Sequence, residues 1–205
     1  KGLYLENATA GIANSTIRNN NNGVYVKGNS SSISNNTISN NTGYAAVIEY
    51  PTGTITSPNF NSNTYIGNNP NGIHLVPGAQ GDVDRSATLT KDNAPYIVTE
   101  NINVLSYPGV PTVILTINPG VEMRFNPGFG LNFTTFGGGN VALDAQGTQA
   151  NPIVMTSNAA VPAPGDWRGL YFSSKTMGSL THIDHLTIKY AGGQGTGAIL
   201  IDNVH

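Results

Sequence analysis

The stretch from residue 113 to residue 172 decides the fold of this chain. It contains VILTINPGVEMRF (113–125), GLNF (130–133), NVALDAQGTQANPIVMTS (140–157) and PGDWRGLYF (164–172). Apolar residues alternate in short runs, as at Val113, Leu115 and Ile117, and no run is long enough for a helix. Pro-Gly turns separate the runs, since Pro fixes φ and Gly permits positive φ. The pattern predicts many short strands, each with one buried face.

The first part of the chain carries an internal repeat. A glycine opens each of four short apolar runs: Gly2, Gly23, Gly43 and Gly72. The first two spacings are 21 and 20 residues, and the third is 29. A repeat this short cannot bury its own apolar face, so consecutive repeats must stack on one another. The sequence therefore predicts a solenoid.

Residues 77–95 interrupt this rhythm, with few periodic apolar positions and most of the local charge. We interpret them as a boundary loop. Residues 1–76 are then the last coils of a first block, and residues 96–205 are the opening coils of a second. Both ends of the chain fall within strand patterns, which we interpret as cuts from a longer polypeptide.

The Asn- and Thr-rich coils resemble the right-handed parallel β-helix repeats of pectate-lyase-like and surface-layer-associated proteins. LTINPGVEMRF (115–125), DAQGTQANPIVMTS (144–157) and PGDWRGLYF (164–172) resemble a block that opens a β-helix in many secreted or surface proteins of bacteria and archaea. The resemblance implies an all-β, right-handed parallel β-helix of about 20–25 residues per coil, with two blocks in tandem. It also implies an extracellular or cell-surface location.

Composition excludes several classes of function. Charged residues make up 10% of the chain and the net charge is -2, so no basic stripe marks a nucleic-acid site. No apolar run approaches the roughly 20 residues that span a bilayer, which argues against membrane insertion. The chain has no cysteine, which removes disulfides, thiolate zinc sites and thiol catalysis.

The resemblance includes polysaccharide-degrading β-helix enzymes, whose catalysis uses clustered carboxylates, often with calcium. Asp82 and Asp84, next to Arg85, form the only tight acidic group, which is a calcium candidate or a solvated turn; we favour the turn. His182 and Asp184 would share one face of a strand, with His185 on the other. We interpret them as polar outer positions, because acid–base chemistry or metal binding needs further partners. The sequence predicts no enzyme, no catalytic residue and no required cofactor.

Aromatic side chains recur once per coil at Tyr4, Tyr25 and Tyr44. An outward ladder of rings is a candidate carbohydrate-binding surface, although ordinary stacking between coils explains it equally well. Trp167 is predicted to be a packing residue at a coil corner.

Asparagine pairs recur at one turn of the coil: Asn19/Asn20, Asn40/Asn41 and Asn68/Asn69. We expect their amides to stack as an internal ladder. Six asparagines also lie in Asn-x-Ser/Thr sequons and are candidate glycosylation sites: Asn7, Asn14, Asn29, Asn35, Asn40 and Asn132.

These observations favour a structural extracellular module of a surface layer, sheath, fibre or adhesin. An uncapped β-helix end is an unpaired sheet edge, so we expect end-to-end stacking with copies of itself or with neighbouring repeats of one chain. Two alternatives remain open. One is a fragment of a polysaccharide lyase or glycoside hydrolase, and the other is a carbohydrate-binding β-helix without catalysis.

Overall fold

The computed structural model describes residues 1–134, 138–193, 195, 197–202 and 204. Within them the chain forms 23 strands and two short 3-10 helices, Ala79–Gly81 and Gly178–Leu180. Strands of successive coils pair in parallel. Each coil contributes one strand to each of three faces, except the last, which has two strands in the described residues, so the chain winds as a parallel β-helix.

One face is a single sheet of eight strands, named here the long sheet. Its strands are β1 (Leu3–Glu6), β4 (Val24–Lys27), β7 (Ala46–Glu49), β10 (Ile73–Val76), β13 (Tyr96–Val98), β16 (Glu122–Phe125), β19 (Ile153–Ser157) and β22 (Leu186–Ile188).

The other two faces are built differently in the first three coils and in the later ones. The early coils use two three-stranded sheets. One consists of β2 (Gly11–Ala13), β5 (Ser32–Ser34) and β8 (Asn59–Asn61), and the other consists of β3 (Thr16–Arg18), β6 (Thr37–Ser39) and β9 (Thr64–Ile66). The later coils use a five-stranded sheet, β11 (Asp82–Val83), β14 (Ile102–Val104), β17 (Leu131–Phe133), β20 (Leu170–Phe172), β23 (Ile199–Ile201). Their third face is a four-stranded sheet, β12 (Ala87–Leu89), β15 (Val113–Ile117), β18 (Val141–Gln146), β21 (His182–Asp184).

The coils at the end of the chain are longer than those at the start. Val24 pairs with Leu3, 21 residues earlier, whereas Ile188 pairs with Met155, 33 residues earlier. The predicted coil length is therefore right at the start and too short at the end. Loops such as residues 158–169, between β19 and β20, account for the extra length.

The predicted alternation places one apolar core inside all the coils. In β15, Val113, Leu115 and Ile117 are buried while the two residues between them are partly exposed. Trp167 is fully buried, its ring stacks on Phe125 at 4.1 Å, and its Nε1 donates to a backbone carbonyl at 2.7 Å. The prediction that Trp167 is a packing residue is confirmed.

Residues 77–95 are a wound coil, so the expectation of a boundary loop there is wrong. They contain the first 3-10 helix and the strands β11 and β12, which pair with the coil that follows. Towards the preceding coil, side chains replace part of the backbone ladder. The N–H groups of Gly53 and Phe60 donate to Asp84 and to Thr90 Oγ1, and Asp92 accepts from the Asn63 N–H at 2.9 Å. The charge at this junction joins two coils, and the long sheet passes through it unbroken. The division into two blocks stays a prediction.

Asparagine pairs turn the chain between strands. In the first two pairs the first residue has positive φ, 59° at Asn19 and 53° at Asn40, whereas in the next coil Gly67, which precedes the third pair, takes this place at 64°. Asparagine tolerates this left-handed region better than most residues. The residue after each of these positions points inward, which is Asn41 in the second pair but Asn68, the first residue, in the third; Asn41 Nδ2 donates to Asn68 Oδ1 at 2.7 Å. The predicted amide ladder is confirmed for these inward members.

Candidate functional site

Asp82 and Asp84 lie at the junction coil and are both buried, 8% and 5% exposed. Both oxygens of Asp84 accept from the Gly53 N–H, at 3.0 and 2.9 Å, and Arg85 Nη1 lies 3.5 Å from Oδ2. Burial, and then the neighbouring Asp84 charge, raise the pKa of Asp82. The pair is therefore enclosed, unlike the solvated turn that we favoured from the sequence.

This donor set does not fit calcium. The ion prefers roughly six to eight oxygen ligands, whereas the Asp84 oxygens are occupied by a backbone N–H and face Arg85. Asp82 Oδ1 is enclosed and accepts no hydrogen bond from the described residues, but a single oxygen is not a site. No group of three or more His, Asp or Glu in the described part of the chain is placed to hold a metal ion.

Tyr4 and Tyr25 lie in register on the outer surface of the long sheet, with ring centroids 5.4 Å apart and the ring planes tilted by 53°. Lys1 Nζ lies 3.8 and 3.7 Å from the two centroids, a cation–π geometry. Tyr44 does not continue this column, because the residue paired with Tyr25 is Val47. The second coil is longer than the Gly23–Gly43 spacing suggested. Tyr44 instead stacks on His74 at 4.3 Å.

A column of charges runs beside these two tyrosines. Lys27 Nζ lies 3.2 Å from Glu6 Oε1 and 3.2 Å from Glu49 Oε1. The Tyr4 hydroxyl donates to Glu6 at 2.6 Å, and the Tyr25 hydroxyl donates to Glu49. The hydrogen bond from Tyr4 and then that from Lys27 lower the pKa of Glu6, so its carboxylate stays ionised. We name Tyr4, Tyr25, Tyr44 and His74 the aromatic face.

The sequon asparagines differ in accessibility. Asn7, Asn14, Asn35 and Asn40 are exposed, and their positive φ places them at the outer corners of coils. Asn29 is 6% exposed, and its Nδ2 donates to two backbone carbonyls at 3.0 and 3.1 Å. A glycan on Asn29 is incompatible with this packing. Asn132 is half-buried on β17, where its Nδ2 donates to Asn103 Oδ1 at 2.9 Å.

His182, Asp184 and His185 are exposed, as the sequence predicted for polar outer positions. Asp184 Oδ1 lies 2.9 Å from His185 Nδ1. The residue that the structure adds is Asp144, which pairs with His182 on the adjacent coil. Sequence alone missed it, because 38 residues separate the two and no repeat of fixed length relates them. Alternation within β18 was the one local signal that Asp144 points outward.

Asp144 and His182 border a groove of about 390 Å³ on the outer surface of the four-stranded sheet. Thr88, Thr116, Asp144 and His182 lie in register along it, one on each of four coils. Ile114 and Leu180 supply apolar surface. We name these six residues the Asp144 groove. Carboxylate, imidazole and hydroxyl groups in one row can exchange hydrogen bonds with a ligand, and the apolar side chains can pack against its carbon skeleton.

The fold defines the class of protein as a right-handed parallel β-helix with three strands per coil. The family model described as "Right handed beta helix region" matches residues 1–105, and that described as "Pectate-lyase like beta helix domain" matches residues 81–193. The chain belongs to the pectate-lyase-like β-helix superfamily. The two matches overlap where the smaller sheets change partners. No curated protein and no solved structure matches this chain.

Proposed function

We propose that this β-helix is a structural, extracellular module of a surface layer, sheath, fibre or adhesin. The observation that supports it is the long sheet, which runs through eight coils above one continuous core. Such a rod resists bending because each coil contacts its neighbours through parallel backbone ladders. Proteins of this superfamily are often extracellular, and the described residues include no helix able to cross a membrane.

The end coils supply the contacts for assembly. Ile199 and Ile201 pair with the inward residues Leu170 and Phe172, yet they are 40% and 65% exposed. At the other end, Leu3 packs only partly against the core. A further coil, from another copy or from a longer chain, would bury these residues and pair the strand edges.

Light scattering after size exclusion tests this assembly. We expect particles larger than one chain, growing with protein concentration. Ile201→Asp puts a charge on the stacking surface and should return the protein to monomers. Val161→Asp is the matched control, since Val161 is 84% exposed on a side loop and should leave assembly intact. Monomers at every concentration would contradict the proposal.

Carbohydrate binding at the aromatic face is the second candidate. Tyr4 is 44% exposed and lies against Tyr25. The charged groups of Glu6, Lys27 and Glu49 lie beside the two rings and can form hydrogen bonds with the hydroxyl groups of a sugar. Aromatic rings pack against the C–H faces of sugars, but here the Lys1 ammonium covers both rings. A glycan array should therefore show weak binding that Tyr25→Ala abolishes and Lys1→Ala strengthens. Binding that is indifferent to both changes would exclude this surface.

We expect no catalysis, although the superfamily includes enzymes. The best observation for the enzymatic alternative is the pairing of Asp144 with His182. Incubation with pectin, alginate and related polymers, with and without calcium, should give no product. Turnover that is lost in His182→Ala or Asp84→Ala would overturn this expectation.

A further inference from the structure

We propose that the Asp144 groove binds an arginine side chain presented by a partner protein. This inference is independent of the assembly proposed above, because the groove lies on the side of the rod and not at its ends.

The shape of the groove comes from a register shift between two coils. Val141 bridges to Thr176, and Asp144 pairs with His182. Between these two pairs the chain advances three residues on β18, from Val141 to Asp144, and six residues on the next coil, from Thr176 to His182. The extra residues leave the sheet as the 3-10 helix Gly178–Leu180, which packs against β18. Leu180 thereby forms a raised wall beside an otherwise flat row of side chains.

The chemistry of the groove is that of a receptor for a cation. Asp144 carries its one fixed charge, and among the described residues no Lys or Arg lines it. Asp144 Oδ1 accepts a hydrogen bond from Gln146 Nε2 at 2.8 Å, a neutral donor that leaves the negative charge uncompensated. A carboxylate has about four acceptor positions, so it can also receive a guanidinium.

An arginine side chain matches the remaining surface. Its planar guanidinium can donate to Asp144 and, from its other N–H groups, to the Thr116 hydroxyl one coil away. Its methylene stem can lie along Ile114 and Leu180, which are both partly exposed. The volume of about 390 Å³ falls in the lower part of the ordinary range for ligand sites, roughly 300 to 1,000 Å³. Because the groove is open to solvent along its length, the arginine can remain attached to a larger partner.

Peptide titration followed by NMR tests the proposal. The probe is the pentapeptide acetyl-Gly-Gly-Arg-Gly-Gly-amide, and its control replaces arginine with citrulline, which has the same shape without the charge. We expect saturable binding of the arginine peptide, with amide shifts at Thr116, Asp144 and His182, and at least roughly tenfold weaker binding of the citrulline peptide.

Three variants identify the groove. Asp144→Asn should weaken binding roughly tenfold or more. Asp184→Asn removes the same charge from the neighbouring outward column and should change binding less than twofold. Thr116→Lys places a cation beside Asp144 and should block the groove, which provides an independent check should Asp144→Asn lower stability.

Three outcomes would overturn the inference. Equal binding of the citrulline peptide would show that charge does not matter. An equal loss in Asp184→Asn would indicate a general electrostatic effect of the surface. Unchanged binding of the arginine peptide to Thr116→Lys would show that the peptide binds outside the groove.

Discussion

Asn63 shows how single polar residues hold the interior of this helix together. It is fully buried, and its Nδ2 donates to Ile33 O and to Asp92 Oδ2, both at 2.7 Å. Its Oδ1 accepts from the backbone N–H and the side-chain amide of Asn36, each at 3.0 Å. One side chain thus satisfies groups on the two coils that flank its own, and each group would cost about 1–3 kcal/mol if left buried and unpaired.

Asn63→Ala should lower the free energy of unfolding by about 3 kcal/mol, because it leaves several buried partners without hydrogen bonds. Urea denaturation followed by circular dichroism measures the loss. Asn61→Ala, on the exposed side of the preceding strand, is the matched control and should change stability by less than about 0.5 kcal/mol. Similar losses in both variants would show that the ladder is not a main source of stability.

His74 makes stability depend on pH. Burial lowers the pKa of His74 below its ordinary value of 6.5, and its Nε2 lies 2.7 Å from Thr99 Oγ1. The unfolded chain therefore takes up the proton first. Stability that is complete above pH 6.5 should decline as the pH falls through the lower native pKa.

Thermal unfolding between pH 7.5 and pH 5 checks this expectation. His74→Asn should flatten the decline over that interval, whereas His182→Asn, which changes an exposed histidine, should keep it. Parallel pH profiles for the parent protein and His74→Asn would contradict the assignment.

At the scale of elements, the entry into β20 depends on the close approach of two coils. Gly169 has a φ of 103°, where a side chain is strained. A Cβ at this position would also collide with the carbonyl oxygen of Ala198 on the next coil. That same oxygen accepts the Leu170 N–H at 2.9 Å, so the collision would break the first hydrogen bond between β20 and β23.

Gly169→Ala should therefore destabilise the protein more than the backbone strain of a positive φ would by itself. Gly128→Ala separates the two effects, because Gly128 also has positive φ, 84°, but open space where the Cβ would be. We expect about 1 kcal/mol of loss for Gly128→Ala and at least about twice that for Gly169→Ala, measured by urea denaturation. Equal losses would mean that the coils can separate slightly without cost.

At the scale of the whole molecule, the two family matches divide a chain that shares one core. The long sheet and the hydrophobic core both pass through the junction coil. Side-chain acceptors such as Asp92 and Thr90 replace part of the backbone hydrogen bonding there. The shared apolar core therefore couples the two halves more strongly than backbone hydrogen bonds do.

We expect the halves to unfold together. Trp167, the single tryptophan, reports the second half by fluorescence, and far-ultraviolet circular dichroism reports all the coils. The two denaturation curves should coincide, because the shared core makes opening at the junction costly. A transition that appears in circular dichroism but not in the fluorescence of Trp167 would show that the two halves unfold separately.

The sequence by itself determined the strands and turns of this protein. Period-two alternation marked the strands from Val113 to Phe172, and asparagine pairs marked the corners and the inward amides. These features depend on neighbouring residues, so they are visible without the fold. The resemblance to β-helix proteins added the direction of winding and the parallel pairing.

Only the tertiary structure decided which residues meet across coils. It paired Tyr25 with Val47 instead of Tyr44, brought Asp144 beside His182, and turned the expected boundary loop into a coil joined by Asp84 and Asp92. The physical reason is register. Contacts between coils depend on the number of residues in each turn, and that number varies from 21 to 33 along the long sheet. Local alternation contains no information about these lengths, so the candidate sites emerge only when the coils are stacked.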